Sequence, residues 1–231
     1  MRLGRPASTI RTAVEHAERV YLVTQGAAVP GTGELSSSWQ RSTNSVDPVD
    51  SRAPRILTTG ELKDSREPLD NLISTAQEEL DRLYKVVREA GYTILFCDTA
   101  GVAIEHRGDD TEASQFEYWG TWLGGVWAEE IEGTNGIGTC IAEERPVTVH
   151  RSQHFRSRHM NLSCSGAPIF GVDGRLLAVL DVSAIAQTAS RADPSCSMIA
   201  AFKPVSACGL YSSRIPSFFD ARIRPISRRA W

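Results

Sequence analysis

The clearest periodic stretch runs from Leu69 to Ala90. Leu69, Leu72, Ile73, Ala76, Leu80, Leu83, Tyr84 and Val87 fall on one stripe, and Glu78, Glu79, Asp81, Lys85 and Arg88 fall elsewhere. That spacing predicts an amphipathic helix. Pro68 suits its first turn and Gly91 the residue past its end. Such a helix either packs on its own domain or pairs with a second chain. A weaker version of the pattern spans Ser8 to Gln25, with Ile10, Val14, Ala17, Val20 and Tyr21 on one face. A loop from Val29 to Gly33 ends it. Ser36 to Asn44 reads as a short helix carrying Trp39, Asp47-Pro48 breaks it, and a linker continues through Pro54.

After Gly91 the period shortens. Thr93 to Cys97 and Val102 to Arg107 flank Asp98-Thr99-Ala100-Gly101, which predicts a hairpin. Ser163 to Phe170 and Arg175 to Val182 flank Val172-Asp173-Gly174, a second hairpin signal. Pro146 to His150 is a short strand. Strands joined mainly by hairpins, with a helix and a long connection in the middle, predict an antiparallel α+β domain.

Between the hairpins, glycine, cap-forming and acidic residues are densest from Trp127 to Thr139, Trp-Ala-Glu-Glu-Ile-Glu-Gly-Thr-Asn-Gly-Ile-Gly-Thr. Thr134 and Asn135 are good N-caps, and a helix is expected from about Ile137 to Glu144. With Trp119, Trp122 and Trp127 leading into it, this turn has the makings of a pocket wall, or of a tight turn that only docks a helix on a sheet. It is not a phosphate loop, since no Lys follows its last glycine. Nor is it a dinucleotide fingerprint, since Ile141 stands where the third glycine belongs.

Composition fits a folded, water-soluble chain: 231 residues, 41% hydrophobic and 23% charged. The aliphatic run Leu176 to Leu180 is far too short to span a membrane. The N-terminus shows no signal-peptide pattern, and the five cysteines have no CxxC spacing, so reduced thiols in the cytoplasm are expected. The net charge of −3 hides an asymmetry: residues 1–144 carry 13 Lys/Arg against 24 Asp/Glu, residues 145–231 carry 12 against 4. The basic residues are scattered through strands and a Pro-rich tail, so direct DNA binding is not expected.

Four groups of residues carry candidate chemistry. His150, His154, His159 and Cys164 are metal-ligating types, but their spacing fits no standard zinc finger, and neither metal nor cofactor is expected. Cys140 and Cys164 would suit a thiol reductase only if an activated thiolate and a resolving thiol were present, and Arg145 is the one cation near Cys140 in sequence. Glu129, Glu130 and Glu132 read as a solvated acidic turn. The aromatic run and the glycine turn predict a cavity lined by Trp119, Trp122, Trp127, Asn135 and Ile137, with Cys164 and Val179 in its floor.

The order of motifs resembles the GAF sensor domain at the N-terminus of sigma-54-dependent transcriptional activators of the acetoin-catabolism type. The match is carried by Ser38-Trp39-Gln40-Arg41, Asp47-Pro48, Ile56-Leu57-Thr58, Asp98-Thr99-Ala100-Gly101 and Gly133-Thr134-Asn135-Gly136-Ile137-Gly138-Thr139. His154-Phe155, Cys164-Ser165-Gly166-Ala167-Pro168-Ile169 and Leu180-Asp181-Val182-Ser183 complete it. The resemblance implies a central antiparallel sheet with helices on both sides, preceded by a helical segment, and a small-molecule pocket on one face. It implies a metabolite or partner-protein sensor that controls an attached AAA+ ATPase. Gly138-Thr139-Cys140 and Leu180-Asp181-Val182-Ser183 also look loosely like free methionine-R-sulfoxide reductases, another GAF group, whose acidic methionine-binding residues are missing here. A pure dimerisation scaffold is the third reading.

The organisation expected is an N-terminal helical extension at 1–66, a GAF-like sensor at 67–189 and an irregular Ser/Arg/Pro-rich tail at 190–231. The 231 residues hold no Walker A motif, no sigma-54-contacting loop and no helix-turn-helix pattern. Pro194, Pro204, Pro216 and Pro225 interrupt the region where the resemblance calls for a closing helix. A truncation or frameshift ahead of the ATPase and DNA-binding domains is therefore expected, with an unknown small-molecule effector, a homodimer through the Leu69–Ala90 helix, and a full-length regulator or metabolic enzyme as further partner.

Overall fold

The computed structural model describes residues 7–27 and 33–185. The Leu69 stripe is a helix, α4 (Asp70–Val87), between short 3-10 turns at Glu67–Leu69 and Arg88–Ala90. Pro68 sits in the first turn, and Gly91 ends the helix with a left-handed φ of 78°. Ile73, Ala76, Leu80, Leu83 and Val87 are buried in one apolar cluster with Tyr92, Ile94 and Phe96 of β1 (Tyr92–Cys97) and Ile104 of β2 (Ala103–Arg107). Ala178, Val182 and Ala184 of β5 (Leu176–Ile185) complete this layer. The stripe is thus spent within the chain, and a homodimer through this helix would rest on its polar outer side, where Arg82 pairs with Glu79 at 2.7 Å.

The sheet has five strands in the order β2-β1-β5-β4-β3, all antiparallel, with β3 at Val147–His150 and β4 at Leu162–Phe170. Both expected hairpins form. Asp98 holds the first, its Oδ1 accepting from the N–H groups of Ala100 and Val102. Because strand residues alternate faces, Leu95, Cys97, Leu162, Cys164, Val179 and Ile185 belong to a second core on the opposite side. That side is covered by α1 (Ala7–Thr24), α2 (Gly33–Ser42), α5 (Ala113–Trp119) and α7 (Gly136–Glu143), with a short α6 at Glu129–Glu132.

The helix expected at Ser8–Gln25 is present, but its inward face differs. His16, Val20 and Val23 are buried, whereas Val14 and Tyr21 are 51% and 63% exposed. Tertiary contacts set the rotation: His16 Nε2 lies 2.8 Å from the Phe155 carbonyl, and its ring meets Trp39 edge-on at 5.7 Å. Another helix, α3 (Thr59–Arg66), was not expected from periodicity because it buries no residue. Its signal is local: Thr58 and Glu61 form a reciprocal capping box. The closing helix and the tail at 190–231 lie outside the described residues.

Close packing of α7 on the sheet depends on two missing side chains. A Cβ on Gly166 would lie 2.2 Å from the Gly136 carbonyl oxygen, and one on Gly136 would lie 2.7 Å from Cys164 Cβ. Gly166→Ala is expected to lose about 3 kcal/mol or more, the upper range for overpacking, because the obstacle is backbone that cannot swing aside. Urea unfolding measures this; a loss below about 1 kcal/mol would show that the helix can lift off the sheet freely.

Candidate functional site

The glycine turn is built by Asn135. Its Oδ1 accepts from the N–H groups of Ile137 and Gly138 at 2.9 and 2.8 Å, capping α7. Its amide donates to the carbonyls of Trp127 and Gly133 at 3.0 and 2.8 Å. Asn135 is fully buried and fastens the start of α7 to the chain that precedes it.

Two buried polar networks hold this turn from outside. In the first, Ser38 Oγ lies within 2.6 to 2.9 Å of Glu129 Oε2, Thr134 Oγ1 and Thr139 Oγ1. Arg41 Nε donates to Glu129 Oε1 at 2.6 Å and Nη1 to Glu143 at 2.9 Å. This clasp binds the Ser-Trp-Gln-Arg motif of α2 to the glycine turn. In the second, Arg156 donates to Glu132 and to the carbonyls of Asp50 and Arg52. Glu132 and Arg156 side chains are 1% and 3% exposed. Burial pushes the Glu132 carboxyl upward against the pull of Arg156.

The acidic turn is therefore not solvated. Only Glu130 of the three is exposed, while Glu129 and Glu132 are buried against arginines from distant segments. Sequence neighbours gave no sign of those partners, which arrive from 88 positions upstream and 24 downstream.

Beneath α7, the sheet contributes Cys164, Val179, Asp181 and Ser183. Asp181 is fully buried, and Ser183 Oγ donates to its Oδ2. Among the described residues no hydrogen-bond donor reaches its Oδ1. Burial pushes this carboxyl up to about 7. Cys164 Sγ lies 3.4 Å from His154 Nε2, and His154 is held at about 4 by burial, so the pair is neutral. His159 is also fully buried. Its ring lies 5.0 Å from that of Trp127, and its Nε2 is 3.3 Å from Glu132 without hydrogen-bond geometry. Burial holds it well below the usual histidine range, so it is neutral and this contact is not an ion pair.

Of the candidate ligands, His154 lies beside both Cys164 and His159, its ring 6.2 Å from that of His159, but the four do not gather around one point. His150 Nδ1 meets Ser163 Oγ at 2.7 Å, His154 turns to Cys164, and His159 to Trp127. Among the described residues no three His, Cys, Asp or Glu side chains gather as metal ligands do. Cys97, Cys140 and Cys164 are free and buried, and burial pushes all three thiols upward. Asp181 reinforces the effect. That is the reverse of what a reductase nucleophile needs. Arg145, the cation nearest Cys140 in sequence, pairs instead with Glu34 at 2.8 Å.

Residues 11–205 match the family described as the MimR N-terminal domain. The chain belongs to that family. Its relatives include the acetoin catabolism regulatory protein of Cupriavidus necator, 32% identical over 74% of this chain and 27% of that protein. The acetoin dehydrogenase operon activator AcoR of Bacillus subtilis is 29% identical over 64% of this chain and 25% of that protein. The propane 2-monooxygenase operon activator MimR of Mycolicibacterium smegmatis is 29% identical over 79% of this chain and 30% of that protein. The chain thus matches about a quarter to a third of the length of these activators. Among solved structures, the E. coli DhaR(N)–DhaL complex contains a chain of similar fold, with TM-score 0.64 and 16% identity, covering 71% of this chain and 55% of that one. The GAF-like α+β fold expected from the sequence is the fold observed.

Six of the seven residues expected to line a pocket share one side of the sheet. Trp127, Ile137, Cys164 and Val179 share the second core, and Trp119 and Trp122 pack against it half-buried. Trp122 also meets the His106 ring at 3.8 Å, and Trp119 lies 5.7 Å from the Arg158 guanidinium. Asn135 stands apart because its hydrogen-bonding groups are spent on the turn. Asp181 was legible in sequence only as part of a motif, and His159 only as a candidate metal ligand; neither was expected as a buried polar group beneath the turn. Asp181 carried a usable signal: it occupies the inward phase of an apolar strand, in step with Val179.

Proposed function

We propose that this MimR N-terminal domain is the effector-sensing module of a regulator of a catabolic operon, acting in the cytoplasm without catalysis of its own. The observation that carries the reading is the family match over residues 11–205, to activators of such operons. The domain offers a sheet face covered by Trp127, Ile137 and the capped glycine turn, with polar atoms left over inside an apolar cluster. Small-ligand sites orient their ligands by a few polar groups set in apolar walls. Trp119, Trp122, Trp127, Ile137, Cys164 and Val179 form the proposed lining, and Asn135 shapes it through the turn. Among the described residues no helix is long and apolar enough to cross a membrane.

Thermal denaturation with a panel of small diols, ketones and carboxylates tests the reading, because a ligand of the native state raises stability by RT ln(1 + [L]/Kd). A ligand at a hundred times its Kd contributes about 2.7 kcal/mol, a shift of several degrees. A flat response across the panel would count against small-molecule sensing. These 231 residues lack a Walker A lysine, so the purified chain is expected to show no ATP hydrolysis above a blank in a phosphate-release assay. Measurable turnover would contradict the assignment.

Sensing of a partner protein is a second reading, favoured by the fold neighbour, which was solved as the DhaR(N)–DhaL complex. Homodimerisation would then use the polar outer side of α4 rather than its buried stripe.

A further inference from the structure

We infer that α1 is a homodimer surface, its outward stripe of Val14, Ala17 and Tyr21 packing antiparallel against the same stripe of a second copy of this chain. The pairing is independent of whatever the sheet face binds.

The stripe exists because α1 is apolar on two sides. His16, Val20 and Val23 face the domain, and the contacts of His16 with Phe155 and Trp39 fix that rotation. Val14 and Tyr21 are thereby turned outward, 51% and 63% exposed, and Leu22 next to Tyr21 is 56% exposed. A helix with one partner needs one apolar face. Positions 14, 17 and 21 are spaced by three and then four, which lines them up along the helix as the seam by which one helix packs on another. Apolar side chains gathered on the outside, an aromatic among them, are what protein interfaces use. The helix is no appendage, since the family match begins at residue 11. It offers a better surface than the polar outer side of α4, whose apolar stripe is spent on the sheet.

Charge decides the occupant. The charged residues of α1 are Arg11, Glu15, Glu18 and Arg19, equal in the two signs. That balance gives an anionic membrane or a nucleic acid nothing to hold. Arg11 and Glu18 are exposed and flank the stripe on the same side, about two turns apart. Two copies related by a two-fold axis between Val14 and Ala17 run antiparallel. Arg11 of each copy then lies alongside Glu18 of the other, so the surface is its own complement, as a two-fold dimer requires. Within the chain Arg11 pairs with Glu15 at 3.6 Å, both side chains 79% and 61% exposed, a contact too wet to keep it from exchanging. A seam on one helix of about 27 Å is smaller than a standard interface, so the dimer is weak and its population follows concentration.

The test is sedimentation velocity on the whole chain from about 1 to about 500 μM, a range that brackets a weak dimer. Wild type is expected to move from monomer to dimer as concentration rises, and to do so less at high salt. Val14→Lys puts a charge into the seam at an exposed position. It is expected to weaken the dimer about tenfold or more, the effect of losing a central apolar contact, with Tm measured on dilute protein unchanged. Arg11→Glu and Glu18→Arg each set like charges against each other twice across the axis, and each is expected to stay monomeric alone. Mixed in equal amounts, these two variants restore both opposite-charge pairs, and a heterodimer is expected. That recovery requires Arg11 of one chain to meet Glu18 of the other. A wild type that stays monomeric throughout would overturn the assignment and leave the stripe to a different protein. A dimer that persists with Val14→Lys would overturn it in favour of another face, such as the outer side of α4. A mixture no more dimeric than its separate components would overturn the antiparallel pairing.

Discussion

Arg156→Met is expected to destabilise this domain by about 3–5 kcal/mol, more than any other single substitution proposed for its surface or core. That is the usual cost of stripping one partner from a buried ion pair, and Glu132 is 1% exposed. The loss arises chiefly from the carboxylate left behind, which would face the neutral His159 with no paired cation and only the longer-range charge of Arg158 to offset it. Two further consequences separate this cause from lost packing. The double variant Arg156→Met/Glu132→Gln is expected to recover much of the stability, because it removes the unpaired charge along with its partner. The single variant is also expected to suffer less as pH falls, since protonation neutralises Glu132. Denaturant unfolding of the four members of this cycle, at pH 5 and pH 7.5, measures all three effects. Equal losses in single and double variants would mean that Arg156 acts by filling space and by holding the Asp50 and Arg52 carbonyls.

The outcome bears on function because Arg156 is one of two ties on the glycine turn. Glu132 ends the segment before Gly133, and Arg156 joins it to the chain around Asp50. Ser38 and Arg41 hold the other side through Glu129, Thr134 and Thr139. The motifs that made the family legible in the sequence are thus the two ends of one clasp. Ser-Trp-Gln-Arg and Gly-Thr-Asn-Gly-Ile-Gly-Thr lie about a hundred positions apart and meet at Ser38 Oγ.

What could be read from the chain follows from how local each cause is. The α4 stripe, the two hairpins and the Asn135 cap are set by spacing and by residues a few positions apart, and all appear where the sequence places them. The face of α1 was misread because its rotation is set by Phe155 and Trp39, which periodicity does not see. The acidic turn was misread for the same reason, since its arginines come from other elements. Helix α3 escaped notice because it has no apolar stripe, although Thr58 and Glu61 marked its start. For the site, the aromatic and aliphatic lining was legible as composition near a glycine turn. The place of its polar members was not: Asp181 stood out only within a motif and His159 only as a metal-ligating type, while their burial is a property of the fold.

Asp181→Asn is expected to change the pH dependence of stability in a definite direction. The carboxyl sits near 3.8 in an unfolded chain and is pushed up to about 7 by burial in the fold. Between these values the native state holds a proton that the unfolded state has released. Stability therefore falls as pH rises from about 4 to about 7, and flattens above that. The full displacement corresponds to at most about 4 kcal/mol, at 1.36 kcal/mol for each tenfold step in proton affinity. Glu105, which is displaced downward in the fold, contributes the opposite slope at lower pH, so the wild-type profile alone does not isolate Asp181. The difference between variant and wild type does. Asparagine keeps the shape and cannot ionise, so its stability relative to wild type is expected to climb from pH 5 to pH 8 and then level off. Urea unfolding at half-unit pH intervals gives this curve directly. A difference that stays constant across the range would mean that Asp181 keeps its ordinary carboxylate behaviour in the fold. A difference that climbs would show that the domain carries a carboxyl whose ionisation strains the native state by a few kcal/mol.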